Sequence, residues 1–439
     1  MAGTVHGPES NRESNQTKPK YHKLHPTRGL NAGGGLNCTE CTVIMLVPSS
    51  LGPATVALLL AVDLGQRFRR AKPTWVIAKG AEQTAAVVTE CAGDATYWPT
   101  PWLGGLLGGH WQTISFGLNL SPPPIDDFTL EEWTTDDGSG TVALAWAKLP
   151  SLLQPSAPIV LILPGLCGSI KGSGHAVQAM ISAGLRPVCW HARGCGQPLT
   201  SARFNLFGST GDLREAIARI RARWPGAPVT LYSISAGTAL MVRYLGEEAD
   251  NAPVAAAVAN SPGYDIGVCL TRVGLPYDAG FYIRVLRKHW LEGPNGEVLR
   301  AAWPGICERM ESAPDMHSFM AAASPFAVLS AAELAAAAEE APSAGASASA
   351  FAAFLAQTNP MGVAHRIAVP TLIFNSDDDP VCSVRNTEEN TPELLQRGCA
   401  RAVLLRYPSG GHCCFAAGWR ARRWSDELAA RFLAASTRE

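Results

Sequence analysis

From about residue 128 the chain alternates between short apolar runs and stretches with the spacing of a surface helix. Phe128–Trp133 and Thr141–Leu149 read as two strands joined by the turn Asp136-Asp-Gly-Ser-Gly140, which has the polar, glycine-bearing composition of a hairpin. Pro158–Leu163, Arg186–Trp190, Val229–Ile234, Val254–Ala259, Val369–Asn375 and Ala402–Tyr407 are short and strongly apolar, the mark of strands covered on both faces. His175–Ala183 and Asp212–Arg223 between them carry helical periodicity, the second with Ser209 or Thr210 as an N-cap. Strands alternating with helices imply βαβ units, so the fold class is α/β: a mostly parallel sheet with helices on both faces.

Two segments stand apart from this alternation. Between Ala259 and Val369 lies a long insertion, expected at about 265–360 to form a helical lid over the carboxyl edge of the sheet. Phe281, Tyr282 and Trp290 fall on one helical pattern there, with Trp303 beyond it, and such a stripe is read as core packing. The alanine-rich stretches Ala331–Ala338 and Ala344–Ala356 suit either that lid or a flexible surface excursion.

The other segment is N-terminal. Residues 1–41 are polar and rich in Gly, Asn and Lys, and are expected to be disordered. Thr42–Val62 is uncharged, but Pro48 and Pro53 interrupt it and its strongest part, Ala54–Val62, is shorter than the roughly 20 residues of a bilayer span. Residues 42–66 are therefore a membrane-anchor candidate, single-pass or interfacial, and the protein is expected to be membrane-associated. Arg67, Arg69, Arg70 and Lys72 favour the cytosolic side. The run starts too far from Met1 for a signal peptide, while an organellar address stays open. The globular domain is expected over residues 95–439.

Charge narrows the partners. The formal net charge is −1 and only 17% of residues are charged, so nothing attracts nucleic acid. The 12 cysteines are scattered. Cys38 and Cys41 form a C-x-x-C with no second pair at zinc spacing, and a chain of this length needs no disulfide framework.

Chemistry concentrates where the run Val229–Ile234 meets a helical stretch. Ser233-Ile-Ser235-Ala-Gly237 resembles the sharp strand-to-helix turn that lifts a nucleophilic serine above a sheet, although Ser233 occupies the place where glycine is usual. A serine needs a base to take its proton and a carboxylate to orient that base, in the order Ser, Asp, His on such a sheet. Downstream, Ser376-Asp-Asp-Asp-Pro380 follows one strand and Pro408-Ser-Gly-Gly-His412 follows the last. The candidate catalytic set is thus Ser235, Asp379 and His412, with Asp378 the runner-up for the acid and otherwise read as a local hydrogen-bonding residue. Ala236 and Leu166 are the candidate oxyanion donors, and Cys167 a packing neighbour. No cofactor or metal is called for.

Several further motifs make the chain resemble the ABHD-type α/β-hydrolases, which include animal membrane lipid hydrolases, yeast ethyl-ester synthases and plant relatives. They are Gly108-Gly-His-Trp-Gln-Thr113, Asp137-Gly138, Pro164-Gly-Leu166, Arg193-Gly-Cys-Gly196, Asp212-Leu213, Tyr244-Leu-Gly246, Asp378-Asp-Pro380 and Gly410-Gly-His412, and the match spans about residues 95–439. The resemblance implies the α/β-hydrolase fold and a serine hydrolase for medium- or long-chain acyl-ester lipids, often membrane-anchored. By motif position it assigns Ser235 as nucleophile, His412 as base and Asp379 as its orienting acid. Pro164 stands where some branches carry His, and the Phe351–Phe354 region lacks the paired tyrosines expected there. An alcohol O-acyltransferase using the same three residues is the rival reading, and a catalytically weak lipid-binding protein on this fold is the third. Epoxide hydrolase or dehalogenase chemistry would need a carboxylate at the elbow.

Overall fold

The computed structural model describes residues 53–118, 125, 127–149, 153–330, 333–334, 344–397 and 401–438. The expectations for residues 1–41, for residues 42–52 of the anchor candidate and for most of Ala331–Ala338 lie outside them.

The sheet strands are β1 (Thr74–Ile77), β2 (Phe128–Thr134), β3 (Thr141–Ala147), β4 (Ile159–Leu163), β5 (Arg186–His191), β6 (Val229–Ile234), β7 (Ala256–Asn260), β8 (Thr371–Ser376) and β9 (Ala402–Tyr407). They form one nine-stranded sheet in the order β1-β9-β8-β7-β6-β4-β5-β3-β2. The six strands from β9 to β5 run parallel, whereas β1, β3 and β2 are antiparallel to their neighbours. Every residue of β4, β5, β6, β7 and β8 is buried, which is why these strands read as predominantly apolar rather than alternating runs.

Helices outside the insertion include α1 (Pro53–Arg67), α2 (Glu82–Ala92), α3 (Gly108–Gly117), α4 (Gly174–Ser182), α5 (Thr210–Arg223) and α6 (Ala236–Glu248), with a last helix at Trp424–Ala435. α2 and α4 both pack against the last helix, while α5 packs on α6, so two separate helical layers cover the sheet. β1 was not foreseen. Four residues leave no periodicity to read, yet they pair along β9, so the sheet begins at residue 74 and the domain starts ahead of the expected residue 95.

α1 is the described part of the anchor candidate. Its 15 residues make a helix about 22 Å long, against roughly 30 Å of bilayer hydrocarbon. No described helix is long and apolar enough to cross a membrane, so the single-pass expectation finds no span here. α1 is instead tied to the 101–106 segment: Arg67 donates to the Pro101 carbonyl (3.1 Å), and the Leu106 N–H donates to Asp63 (2.9 Å).

Between β7 and β8 the insertion is helical, with helices Ile266–Leu270, Ile283–Leu291, Gly293–Ala302, Pro304–Ser312, Met316–Val328 and Ala344–Thr358. It has its own core, including Leu286, Trp290, Ile306, Phe319 and Phe326, and Trp290 stacks on Phe204 with ring centroids 4.1 Å apart. The aromatic stripe splits in two. Trp290 is core as expected, whereas Phe281 and Tyr282 are only half-buried and line cavities. A π-helical turn over Asp278–Tyr282 takes them out of register with Ile283–Leu291, a break that spacing alone does not reveal.

Candidate active site

Ser235 is the single residue between the end of β6 and the start of α6, at φ 50° and ψ −120°. A non-glycine residue at positive φ is strained and persists only where its surroundings over-determine it. Here the Ser235 N–H donates to the Asn260 carbonyl (2.9 Å), and its own carbonyl accepts from the Thr238 N–H (2.9 Å) and hydroxyl (2.5 Å). The turn also needs a glycine two residues on. A Cβ at Gly237 would sit 2.4 Å from the Leu163 carbonyl oxygen and 2.5 Å from that of Pro164. Ser233, in place of the usual glycine, is fully buried without penalty, because its hydroxyl donates to the Val258 carbonyl (3.0 Å).

The loops after β8 and β9 reach the same rim. His412 Nε2 lies 2.7 Å from Ser235 Oγ, and His412 Nδ1 lies 2.9 Å from Asp379 Oδ2. Three side chains from segments far apart in sequence are thereby joined in one hydrogen-bonded line. Asp379 Oδ1 accepts from the N–H groups of Val381 and Cys382, each at 2.8 Å. Asp378 faces the other way, and its Oδ1 accepts from Gly410 (2.9 Å) and Gly411 (2.8 Å), clamping the histidine loop. Gly411 is at φ 58°, and a Cβ there would lie 2.6 Å from the Gly109 carbonyl, so the loop closes directly onto α3.

α3 supplies residues whose part was not read from the sequence beyond their place in a motif. The Thr113 hydroxyl accepts from the His412 N–H (2.9 Å) and donates to the Gly109 carbonyl (2.6 Å). Gln112 accepts from the Ala416 N–H (3.0 Å) and donates to the Ser409 hydroxyl (3.2 Å). The Gly108–Thr113 motif is thus a brace for the histidine loop. Its contacts lie about 300 residues away in sequence, so no local pattern signals it.

Electrostatically, burial alone pushes the His412 imidazole down, but the Asp379 carboxylate beside it, with Cys413 and Tyr282, leaves it well above the ordinary histidine range. Burial raises the Asp378 carboxyl, with the Gly411 and Gly410 amides pulling the other way. His191 is held down to about 4 by burial and is a neutral acceptor for the Ile170 N–H (3.0 Å), supporting the loop that carries Leu166.

Leu166 and Ala236, the expected oxyanion donors, line with Ser235 a cavity of about 70 Å³ walled also by Cys269, Tyr282 and Val381. Ala236 is the first residue of α6, so its N–H has no intrahelical acceptor. Cys167, at φ 56°, shapes the Leu166 turn, which Gly168 closes by donating to the Gly165 carbonyl (2.9 Å). Among the described residues, Asp379, Cys382 and His412 offer metal-ligand atoms within 4.8 Å of one another, but Asp379 and His412 direct theirs at each other.

Other motif residues meet away from the serine. Arg193 grips Asp212 with two hydrogen bonds (2.8 and 2.7 Å) and also donates to Ser139, Thr135 and Asp137, locking the β5–α5 loop to the β2–β3 turn.

Residues 154–416 match the hydrolase family described as serine aminopeptidase, S33. The chain is 31% identical over 190 residues to phospholipase ABHD3 of Mus musculus, covering 42% of this chain and 44% of that protein. With protein ABHD15 of Homo sapiens it shares 27% over 347 residues, covering 75% and 66%. A lipase solved in its open form superposes with TM-score 0.43 at 13% identity, covering 71% of this chain and 100% of the lipase. The match thus spans less than half the length of the mouse relative. With more than half of its length matched, and with the strand order and rim described above, the chain belongs to the serine aminopeptidase S33 family and is an ABHD-type α/β-hydrolase.

Proposed function

We propose that the protein is a serine hydrolase for carboxylic esters of acyl lipids, with Ser235, His412 and Asp379 as its catalytic set. The observation that carries this reading is the line from Ser235 Oγ through His412 to Asp379, at 2.7 and 2.9 Å, opening on an apolar cavity. His412 Nε2 takes the hydroxyl proton as Ser235 Oγ attacks the ester carbonyl, and Asp379 holds the imidazole in the required tautomer. The developing oxyanion lies between the N–H groups of Ala236 and Leu166. His412 then returns the proton to the leaving alcohol oxygen, and a water repeats the sequence to release the acid. The lipid substrate is favoured by the apolar insertion that walls the cavity and by a relative named as a phospholipase.

Membrane association, as an interfacial rather than spanning contact, belongs to the same reading. Leu58, Leu59, Leu60, Val62 and Leu64 of α1 are all exposed, an apolar surface suited to lipid. Labelling with a fluorophosphonate probe tests the chemistry. One serine adduct is expected on the wild type and none on Ser235→Ala, and equal labelling of the two would refute the assignment. Co-sedimentation with lipid vesicles tests the contact, and should weaken when Leu58, Leu60 and Leu64 are replaced by serine.

A further inference from the structure

Beside the cavity that holds Ser235 lies a larger one of about 320 Å³. Thr113, Ile114 and Gly117 of α3 form one wall, and Tyr277, Phe281 and Tyr282 form the other. The volume is at the lower end for pockets that hold organic ligands, and the walls are aromatic and aliphatic. Two of the polar groups there are engaged: His110 Nδ1 pairs with the Tyr277 hydroxyl at 2.8 Å with the rings stacked, and the Thr113 hydroxyl is bound to the backbone on both sides. At the rim, Ile114 and Leu118 are 40% and 59% exposed.

Two features tie this chamber to the catalytic line. Thr113 in its wall holds the His412 N–H, so the chamber lies behind the base, while Tyr282 is, among the described residues, the one shared with the lining of the Ser235 cavity. The π-helical turn over Asp278–Tyr282 brings Phe281 and Tyr282 to that partition, and such turns recur at functional sites. An ester bound for attack on Ser235 has two directions to fill. Its acyl chain follows the cavity beside Leu166 and Ala236. Its alcohol part must lie on the His412 side, because that oxygen collects the proton from Nε2.

We propose that the chamber receives a hydrocarbon chain carried by the alcohol part of the substrate, so that the protein selects two-chain over one-chain esters. This rests on the ester-hydrolase reading given above. Tyr282 separates the chamber from the acyl side, and the apolar rim gives a chain a route in from a lipid surface.

The test compares two glycerol derivatives with the same octanoyl ester, one carrying an octyl ether and the other a methyl ether, both assayed below their aggregation concentrations. Wild-type kcat/KM is expected to favour the octyl ether by about tenfold or more, a small part of what burying the added methylenes allows. Ile114→Trp and Gly117→Leu, which fill the chamber, should bring that ratio towards one. Phe281→Ala, which enlarges it, should raise the ratio for longer ethers, so the inference does not hang on a variant that fails to fold. A wild-type ratio near one, or a preference that survives Ile114→Trp, overturns it. So does loss of octanoyl over butanoyl preference in Ile114→Trp with the ether ratio intact, since the chamber would then hold the acyl chain. If neither ester is cleaved, the ester-hydrolase reading fails. Calorimetric binding of the two ethers to Ser235→Ala protein then still tests the chamber, with tighter octyl binding expected and equal binding refuting it.

Discussion

Replacing Thr113 by valine keeps the shape of the side chain and removes one hydroxyl. In the native structure that hydroxyl accepts the His412 N–H at 2.9 Å and donates to the Gly109 carbonyl at 2.6 Å, and Thr113 is 5% exposed. Valine leaves a buried N–H with no acceptor in the very loop that aims the imidazole, at a cost of about 1–3 kcal/mol. The loop can lower that cost by moving the N–H towards water, which draws His412 away from Ser235. A displacement of about 1 Å at a reacting group costs on the order of 10²-fold in rate. We therefore expect Thr113→Val to lower kcat/KM by about 10- to 100-fold on p-nitrophenyl acetate, an ester too short to report on the neighbouring chamber. Urea unfolding should show a loss of about 1–3 kcal/mol. Thr113→Ser keeps the hydroxyl and should recover most of both. Wild-type turnover and stability in Thr113→Val, or a serine variant as poor as the valine one, would refute the brace.

Asp379→Asn should lower kcat about 10⁴-fold, because an amide facing Nδ1 favours the tautomer in which Nε2 carries the proton. The same change removes the carboxylate that raises the His412 pKa, so the rise of kcat/KM with pH should shift to lower pH, which a pH–rate profile would show. Asp426 sits under the sheet against the Tyr232 hydroxyl, and burial pushes its carboxyl up from 3.8 to about 6. The folded state then binds this proton more tightly than the unfolded one, so the group withdraws stability as pH rises from about 4 to 6, by roughly 3 kcal/mol. Asp426→Asn should gain stability over wild type at pH 7 and not at pH 4, measured by urea unfolding. Arg193→Ala leaves Asp212 buried and unpaired, both side chains being 7% exposed, and should cost about 3–5 kcal/mol with little change in kcat on a short ester. A loss below 1 kcal/mol would show that the loop is held by other means.

What could be read from the sequence depended on whether the feature was local. The buried strands announced themselves because parallel strands covered on both sides are apolar along most of their length, without interruption in Ile159–Leu163 and through Leu372–Phe374 in β8. Ser235 was legible because the elbow is a local arrangement, strand, strained residue, small residue and helix, compressed into Ile234–Gly237. The meeting of Ser235, Asp379 and His412 was inferable only from the rule that carboxyl ends of parallel strands share a rim. β1 escaped because an exposed four-residue edge strand carries no periodic signal. Phe281 and Tyr282 were read as core because a π-helical turn shifts the register of a stripe without changing its composition. The roles of Gln112 and Thr113 depend on a contact some 300 residues away in sequence, which no local pattern encodes.

The three consecutive aspartates after β8 illustrate how the fold keeps a charge where the proposed chemistry needs it. Asp377 pairs with Arg406 near the surface, so its charge is neutralised. Asp378 is half-buried and Asp379 buried, neither has an arginine or lysine at hydrogen-bond distance among the described residues, and each instead receives two backbone N–H groups on one oxygen. That difference matters, because an arginine against Asp379 would cancel the field at His412, whereas amide dipoles stabilise the carboxylate and leave its net charge in place. The remaining Asp379 oxygen then meets the imidazole at 2.9 Å with that charge uncancelled, placed to stabilise the imidazolium that the proposed proton transfer from Ser235 would form. Asp378, spending its own charge on Gly410 and Gly411, fixes the distance over which that attraction acts.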